Sequence, residues 1–362
     1  MLRQLARLSR AVPAISPRAV AIAVYADAKG EPIVAAQSGI EGVACIDDAA
    51  RALEMYGDLW RATKLPWVSD WCRGLLDFVL AMQEPDGKWV NFILDWDGTK
   101  NTSGRTSLPG GEFWQARAML ALARTADIID DDRIDQAITK GLPMLLEHPA
   151  TPDVRSLHIL TALALSNGVH ERVMRERLPA WCDELLACRD DVIFKNWDME
   201  VGPPHLWGHA QEGALASAST YLDRPDLLED ARLSAETLYP DIIRGGFNEA
   251  STLPYDVWTT VDAMDRLSLA TGQSLYDERA SLARAWFYGR NTANTPVYDR
   301  KIGRVHDGID EARLNENSGA ESNIVGAQAL LSNVADTVGD FALEEVVMPT
   351  TKGISRRLRS VS

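Results

Sequence analysis

The sequence predicts an all-α protein built from six helical hairpins that close into a ring. Apolar residues recur at three- and four-residue steps in segment after segment, which is the spacing of amphipathic helices. The helices are joined alternately by short turns and by long connections, the latter at 84–110, 190–207, 241–256 and 291–318. In a closed ring of antiparallel hairpins the long connections share one end, so we expect the functional residues there.

The predicted helices follow one another in pairs along the chain. They are 41–62 with 66–83, 111–128 with 132–147, 153–168 with 170–189, 208–221 with 225–240, 257–271 with 273–290, and 319–334 with a weaker segment at 338–346. In the first helix Asp47 falls on the same face as Ile46 and Ala50. A carboxylate at such a position requires a partner or a cavity, because burying an unpaired charge is costly.

Two short segments flank the helical ring. Residues 1–40 are predicted to hold a short β-hairpin packed on the ring, because β-prone runs surround a Gly-containing turn at Asp27–Gly30. The ring itself is predicted to span 41–346. Residues 347–362 form a basic, poorly patterned tail, for which we expect disorder or a small docking segment.

The composition of the chain excludes some classes of binding partner and indicates where the protein is found. The 362 residues carry a net charge of −15, which argues against nucleic acid or an anionic membrane as partner, since both require a basic patch. The four cysteines lack CxxC spacing and are expected to be reduced thiols. No segment reaches the length of a transmembrane helix. A short, Arg-rich N-terminal stretch only faintly resembles a secretory leader, so we expect a cytoplasmic protein, with export as the alternative. The sequence makes no prediction of oligomeric state.

Acidic residues at the starts of the predicted inner helices are the candidate catalytic groups. They are Asp47, Asp48, Glu112 and Glu321. Paired carboxylates supply the acid and the base or nucleophile of glycosidic cleavage. We expect Asp47 or Asp48 to act as base and Glu321 or Glu112 as acid. Structural roles stay open, because Asp47 and Asp48 are both spaced to pair with Arg51, and Glu112 could cap its own helix.

Aromatic and polar residues of the long loops and helix starts are the candidate substrate-binding groups. They are Asp95, Trp96, Trp114, Trp197, His205, Trp207, His209, Tyr255 and Asn317. Indole rings stack on the C–H faces of sugars, while imidazoles and amides hydrogen-bond to hydroxyl groups. His205 and His209 have no third ligand nearby in sequence, so no metal site is predicted. No phosphate-binding loop motif occurs, and no cofactor is predicted.

Three stretches resemble a known group of proteins. GIEGVACIDDAARAL, NFILDWDG and WFYGRNTANTPVYDRKIGRVHDGIDEARLNENSGAESNIVGAQAL are similar to segments of the six-hairpin, or (α/α)6-barrel, glycosidase-like superfamily. More narrowly, they resemble bacterial proteins of glycan metabolism. The resemblance covers about residues 20–335 and implies a sugar site at the loop-rich end of the barrel. Residue by residue, it marks Asp47, Asp48, Asp95, Trp96, Asn317 and Glu321.

These observations lead us to expect a carbohydrate-active enzyme, specifically a glycoside hydrolase acting on an oligo- or polysaccharide. Barrels of this class carry several chemistries, so the fold does not decide the reaction. One alternative is a polysaccharide lyase or a sugar epimerase, for which Tyr255, His205, His209 and Arg290 are available. Another alternative is a non-catalytic glycan-binding or assembly protein of polysaccharide synthesis.

Overall fold

A computed structural model of the protein describes residues 1–33, 41–338 and 349. The chain divides into two compact units. The first comprises Met1–Met144, Asp299–His306 and Glu316–Ser362, and the second comprises Leu145–Tyr298 and Asp307–Asn315. The domain boundaries predicted near residues 40 and 346 stay a prediction, because both fall outside the described residues.

The first unit is mainly helical. Its helices are α1 (Leu2–Leu8), α2 (Ile46–Thr63), α3 (Pro66–Ala81), α4 (Glu112–Thr125), α5 (Asp132–Glu147, whose end enters the second unit), α12 (Ala320–Ala329) and α13 (Leu331–Val338). Its strands are β1 (Ser9–Ala11), β2 (Val20–Ile22), β3 (Ala44–Cys45), β4 (Phe92–Ile93) and β9 (Arg304–Val305), and β8 (Tyr298–Asp299) lies at the unit boundary.

Helix α2 is largely buried and packs against α3, α4 and α12. Small residues make this possible, since Ala49, Ala50 and Ala52 are completely buried. At Gly57 a β-carbon would stand 3.2 Å from Cδ1 of Ile128, so the missing side chain allows this close approach. The helix ends where Lys64 takes a left-handed conformation, with φ of 55°.

A short β ladder sets the start of α2. Ala44 and Cys45 pair antiparallel with Ile93 and Phe92, so the helix begins at Ile46 rather than at the predicted residue 41. The N–H of Ile46 donates to the carbonyl of Asn91 over 2.8 Å. The ladder therefore holds the 84–110 loop against the first turn of α2.

The N-terminal segment differs in detail from the prediction. It begins with α1, which was not predicted, and its regular antiparallel pair joins β1 to β2 with Arg10 opposite Ala21. At the predicted turn, the Asp27 carboxylate accepts hydrogen bonds from the N–H groups of Lys29 and Glu31. The chain before and after this turn is joined by one isolated antiparallel bridge, from Ala26 to Pro32. The rest of the predicted second strand, at 34–36, lies outside the described residues.

The second unit is also built from paired helices. Its helices are α6 (Pro152–Ala164), α7 (Glu171–Ala187), α8 (Gln211–Leu222), α9 (Pro225–Arg244), α10 (Pro254–Thr271) and α11 (Ser274–Arg284), followed by a 3-10 turn at Ala285–Tyr288. Strands β5 (Arg189–Asp190) and β6 (Ile193–Phe194) form a hairpin, and β7 (Ser251–Thr252), β10 (Gly308–Asp310) and β11 (Arg313–Asn315) form a sheet in the order β11-β10-β7.

Helix α8 is the central element of the second unit and packs against α6, α9 and α10. It is rich in small residues, and Ala214, Ala216 and Ala218 are completely buried. The chain that enters α8, at 195–210, is irregular and carries much of the polar and aromatic chemistry of this unit. In the described part of the chain, none of the helices combines the length and the apolar character that crossing a membrane requires.

Removal of a buried aromatic ring tests the packing of α2 on α3. Trp71 is completely buried and stacks on Tyr56, with ring centroids 5.1 Å apart and planes within 7°. We expect Trp71→Ala to reduce the free energy of unfolding by about 3–5 kcal/mol, because the lost ring leaves a cavity. Urea unfolding followed by circular dichroism measures the change. Trp67→Ala, at a half-buried position of α3, is the matched control, and an equal loss in both variants would contradict this packing.

Candidate functional site

Three of the four predicted catalytic carboxylates lie together in the first unit. Asp47 and Asp48 are in the first turn of α2, and Glu321 is in the first turn of α12. Two arginines connect them, Arg51 of α2 and Arg117 of α4. We call these five residues the carboxylate cluster. With all groups ionised, three negative charges face two positive charges, so one proton brings the cluster to neutrality.

Asp47 is the more accessible aspartate. Its side chain is 19% exposed, and its Oδ1 lies 2.8 Å from Nη1 of Arg117. Asn91 supports it from the 84–110 loop, since its Nδ2 donates to Oδ2 of Asp47 over 3.3 Å and its Oδ1 accepts the Asp47 N–H over 3.2 Å. The arginine itself lies over the ring of Phe113, 4.9 Å from the centroid. Asp47 is therefore held in place and paired as a carboxylate.

Asp48 points to the other side, as expected for neighbours about 100° apart on a helix. Its side chain is 2% exposed, and its Oδ1 accepts from Nη2 of Arg51 over 2.8 Å. Burial raises the pKa of Asp48 to about 6 against the opposing charge of Arg51, and the charges of Glu321 and Asp47 add to the rise. Asp48 is therefore the member of the cluster that holds a proton in mildly acidic solution.

Glu321 shares its arginine with Asp48. Its Oε2 lies 2.8 Å from Nη1 of Arg51, and its side chain is 39% exposed. Burial raises the pKa of the Tyr25 hydroxyl, and the nearby charges of Cys45, Asp48 and Glu321 add to the rise. One guanidinium thus bridges a buried acid and an exposed one.

The other predicted residues of the first unit lie in the loops and helix starts around α4 and α12. Glu112 is exposed at the first residue of α4, and Asn317 is exposed just before α12. Asp95 is exposed and accepts the N–H of the half-buried Trp96 over 2.7 Å. Trp114 is half-buried, and its indole N–H is shared between the carbonyls of residues 89 and 108. This bond fastens the long loop to α4, which is a structural role.

In the second unit, three predicted residues form a group of adjacent rings. The imidazole of His205 stacks on the indole of Trp207, with centroids 4.1 Å apart and planes within 11°. The ring of Trp197 lies 5.3 Å away on the same imidazole, tilted by 34°. Trp197 and Trp207 are 41% and 40% exposed. We call these three residues the aromatic group.

His209, by contrast, is completely buried. Its Nδ1 lies 2.8 Å from Oδ1 of Asn196, and its Nε2 lies 3.1 Å from Oε1 of Glu212, which is also completely buried. Burial opposes ionisation of Glu212, but the charge and hydrogen bond of His209, together with the hydroxyl of Ser234, outweigh it and lower the pKa of that carboxyl. Both ring nitrogens of His209 are therefore engaged inside the protein. Tyr255 is 4% exposed and packs on Trp258, 5.5 Å between centroids.

A cavity of about 570 Å³ opens beside the aromatic group within the second unit. It lies between the loop that enters α8 and the start of α10. Its lining consists of Pro203, Pro204, His205, Leu206, Trp207, Ile242, Phe247, Glu249, Ala250, Ser251, Thr252, Leu253 and Asp256. This volume is in the range of small-molecule sites. Within residues 1–33 and 41–338, no group of three His, Cys, Asp or Glu side chains is arranged to hold a metal ion.

Sequence reasoning missed three members of the first-unit site, Tyr25, Asn91 and Arg117. Arg117 could have been predicted as a site residue, because it is a charged residue within the apolar, alanine-rich part of α4. Asn91 and Tyr25 gave no such signal, because pairing between distant segments places them. The Ile46 N–H donates to the Asn91 carbonyl, and a bridge from Ala23 to Ala44 positions the chain next to Tyr25. The predicted structural pairing of Asp48 with Arg51 is present, whereas Asp47 pairs with Arg117 instead.

Comparison with known proteins shows the fold. No family model matches the chain, and no curated protein matches its sequence significantly. A sugar epimerase from a ruminal bacterium is 12% identical, with a TM-score of 0.67 over 89% of this chain and 92% of that one. A cellobiose 2-epimerase from Spirochaeta thermophila is 12% identical, with a TM-score of 0.66 over 91% and 93% of the two chains. A GH76 α-mannanase from Bacteroides thetaiotaomicron is 11% identical, with a TM-score of 0.59 over 83% and 89%.

These structures confirm the fold class that the sequence predicted. The chain has the (α/α)6-barrel fold of the glycosidase-like proteins, which is the fold that the resemblance of its motifs implied. Among the structures that share it, epimerases and hydrolases are both present. The fold therefore leaves the reaction to be argued from the residues.

The raised pKa of Asp48 predicts how the free energy of unfolding depends on pH. Burial raises the pKa of Asp48 from 3.8 to about 6 in the folded protein. Protonated Asp48 therefore stabilises the fold fully below pH 3.8, and this stabilisation is lost as the pH rises through 6. The loss is roughly 3 kcal/mol, at about 1.4 kcal/mol per pKa unit. Asp48→Asn cannot ionise and avoids the loss. We therefore expect the stability of the wild type relative to Asp48→Asn to fall between pH 4 and 7 in urea unfolding. Asp70→Asn, at an exposed position of α3, should follow the wild type, and parallel curves for Asp48→Asn and wild type would refute the assignment.

Proposed function

We propose that the protein is a carbohydrate-active enzyme and, more narrowly, a glycoside hydrolase that acts through the carboxylate cluster. The observation that carries the proposal is the unequal state of its acids. Asp47 is an accessible carboxylate neutralised by Arg117, whereas Asp48 is buried and keeps a proton up to about pH 6. Glycosidic cleavage requires a base and an acid that carries a proton, and this cluster combines a paired carboxylate with one proton shared among its other acids.

The proposed reaction adds water across a glycosidic bond. In the reactive form the proton of the Asp48–Arg51–Glu321 group lies on the exposed Glu321, and Asp48 is the carboxylate paired with Arg51. Glu321 gives this proton to the leaving oxygen as the bond to the anomeric carbon breaks. Asp47 takes a proton from the attacking water, whose hydroxyl goes to the anomeric carbon. One proton is given and one is taken, so the cluster ends the reaction with the same charge.

Asp48 acts through Arg51 in this proposal. When Asp48 is protonated, Arg51 neutralises Glu321 alone, and when Asp48 ionises, the same guanidinium serves two carboxylates. The two acids thus share one proton and one guanidinium, and Glu321 can act as the acid only in the form in which Asp48 is the ionised partner of Arg51. Asp48 is a positioning residue, since its side chain is 2% exposed.

The similar structures support a sugar as substrate. By their names, the neighbours with this fold act on sugars or on polysaccharides made of them. The net charge of −15 favours an uncharged substrate over an anionic one. A cytoplasmic location, with export as the alternative, remains part of the proposal.

A sugar epimerase is the second candidate, and His205 favours it. Burial lowers the pKa of this histidine, so it is neutral at pH 7, and its Nδ1 donates to the carbonyl of Trp207 over 3.0 Å. Nε2 is then left as the basic nitrogen, which is the form needed to remove a proton from carbon. Two epimerases are among the similar structures. Epimerisation conserves the length of the glycan, so products separate the two reactions.

Substitution of Asp47 and Glu321, the proposed base and acid, tests the hydrolase. We expect Asp47→Asn and Glu321→Gln each to lower turnover of a hydrolysed glycan at least ~100-fold, the usual effect of losing a general base or acid. Substrates come from a library of oligosaccharides, and mass spectrometry of the products measures turnover. Asp70→Asn, an exposed aspartate in the same unit, should retain wild-type turnover.

The products decide among the alternatives. Fragments whose summed mass exceeds that of the substrate by one water support hydrolysis, whereas unsaturated fragments indicate a lyase and an isomer of unchanged mass indicates an epimerase. Binding without any product indicates a glycan-binding protein. Wild-type turnover in both Asp47→Asn and Glu321→Gln, with thermal unfolding unchanged, would show that the cluster is not catalytic.

A further inference from the structure

The cavity of the second unit has an uneven distribution of charge. Its described lining contains two carboxylates, Glu249 and Asp256, and neither lysine nor arginine. The carboxylate of Asp256 accepts the N–H of Leu253 over 2.7 Å, which caps α10 and fixes the position of the acid. An anionic ligand would meet these carboxylates without a cation to offset its desolvation. Hydroxyl groups, in contrast, can donate to carboxylate oxygens.

The apolar part of the lining matches the other face of a sugar. Trp207 is 40% exposed at the cavity and is held on one side by the stacked His205. Phe247 and Ile242 continue the apolar surface, and Phe247 is 2% exposed. An indole fixed in this way offers a rigid flat surface at low entropic cost.

His205 adds one directed polar group. Because a carbonyl oxygen can only accept, the contact of Nδ1 with the carbonyl of Trp207 places the ring proton on Nδ1. The lowered pKa of the ring keeps Nε2 unprotonated at neutral pH. Nε2 is thus an acceptor for a hydroxyl proton. The lining therefore combines acceptors for hydroxyl groups with an aromatic surface.

We propose that this cavity is a glycan subsite that takes an uncharged pyranose unit and discriminates against uronic acid units. The inference rests on the proposed function for its class of ligand, a carbohydrate, and extends it to a binding site and a specificity. Stacking on Trp207 supplies the attraction for pyranose rings in general. Glu249 and Asp256 supply the discrimination by repelling a sugar carboxylate.

Matched pairs of glycans test the subsite. The pairs are β-1,4-linked glucan and glucuronan tetramers and β-1,4-linked mannan and mannuronan tetramers, which differ within each pair only in the oxidation of C6. Binding is measured by calorimetry with the full chain carrying Asp47→Asn, so that turnover does not consume the ligand. We expect the neutral member of at least one pair to bind at least ~10-fold more tightly than its acidic counterpart, a difference of about 1.4 kcal/mol.

Variants at the tryptophan locate the binding. Trp207→Ala should weaken the neutral glycan at least ~10-fold, whereas Trp207→Phe, which keeps an aromatic face, should lose less than ~3-fold. Tyr221→Ala is the matched control, because Tyr221 is similarly exposed, 37%, but lies at the far end of α8 from this loop. It should bind like the parent protein.

The outcomes separate this inference from the proposed hydrolase. Equal or tighter binding of the uronic acid glycans, no binding of any tetramer, or unchanged binding by Trp207→Ala would overturn the subsite. If the neutral glycan binds as expected while the wild type yields no product, the subsite stands and the hydrolase proposal fails. If the wild type hydrolyses glycans and Trp207→Ala binds them normally, the hydrolase proposal stands and the subsite fails.

Discussion

Two arginines must neutralise three carboxylates at the helix starts of the first unit, and the arrangement there depends on this constraint. Arg51 is itself 4% exposed and Arg117 7% exposed, so neither guanidinium is solvated well enough to stand alone. Each arginine therefore requires its carboxylates as much as they require it. Because the partners come from α2, α4 and α12, the ion pairs of the proposed catalytic cluster also join three helices.

The charge imbalance of this cluster gives its acids different properties. Asp47 has Arg117 to itself, while Asp48 and Glu321 share Arg51. Burial then places the proton on Asp48, since desolvation penalises its charged form most. Identical chemical groups thus acquire different protonation states from their surroundings, which is the property that the proposed acid and base roles require.

In the second unit a buried carboxylate is stabilised by hydrogen bonds rather than by an arginine. Glu212 is completely buried, and His209, Ser234 and Tyr239 all bond to its oxygens. Glu212 is in the first turn of α8, so its contact with His209 ties the irregular 195–210 chain to this helix, and Asn196 holds the other nitrogen of His209. This buried network supports the loop that carries His205 and Trp207. His209 was predicted to bind substrate, but it is completely buried and both of its ring nitrogens contact groups inside the protein, which is a supporting position.

The helices could be predicted from the sequence, whereas the strand pairing and the ion pairs between helices could not. Helical spacing located α3 and α5 to within a few residues, because one apolar face determines both burial and period. The start of α2 was misplaced because a two-residue ladder with β4 competes with the helix. Asp47 and Glu321 were found as acids at helix starts, but the pairing of Asp47 with Arg117 arises from packing between α2 and α4, which no local pattern encodes.

The different roles of Glu321 and Asp47 are tested most directly by changing the leaving group. An aryl glycoside with an acidic phenol leaves without protonation, so it needs the base but not the acid. On this substrate, made from the sugar that the wild type cleaves, we expect Glu321→Gln to regain near wild-type turnover and Asp47→Asn to remain inactive. Equal losses in both variants on both substrates would contradict the assignment of acid and base.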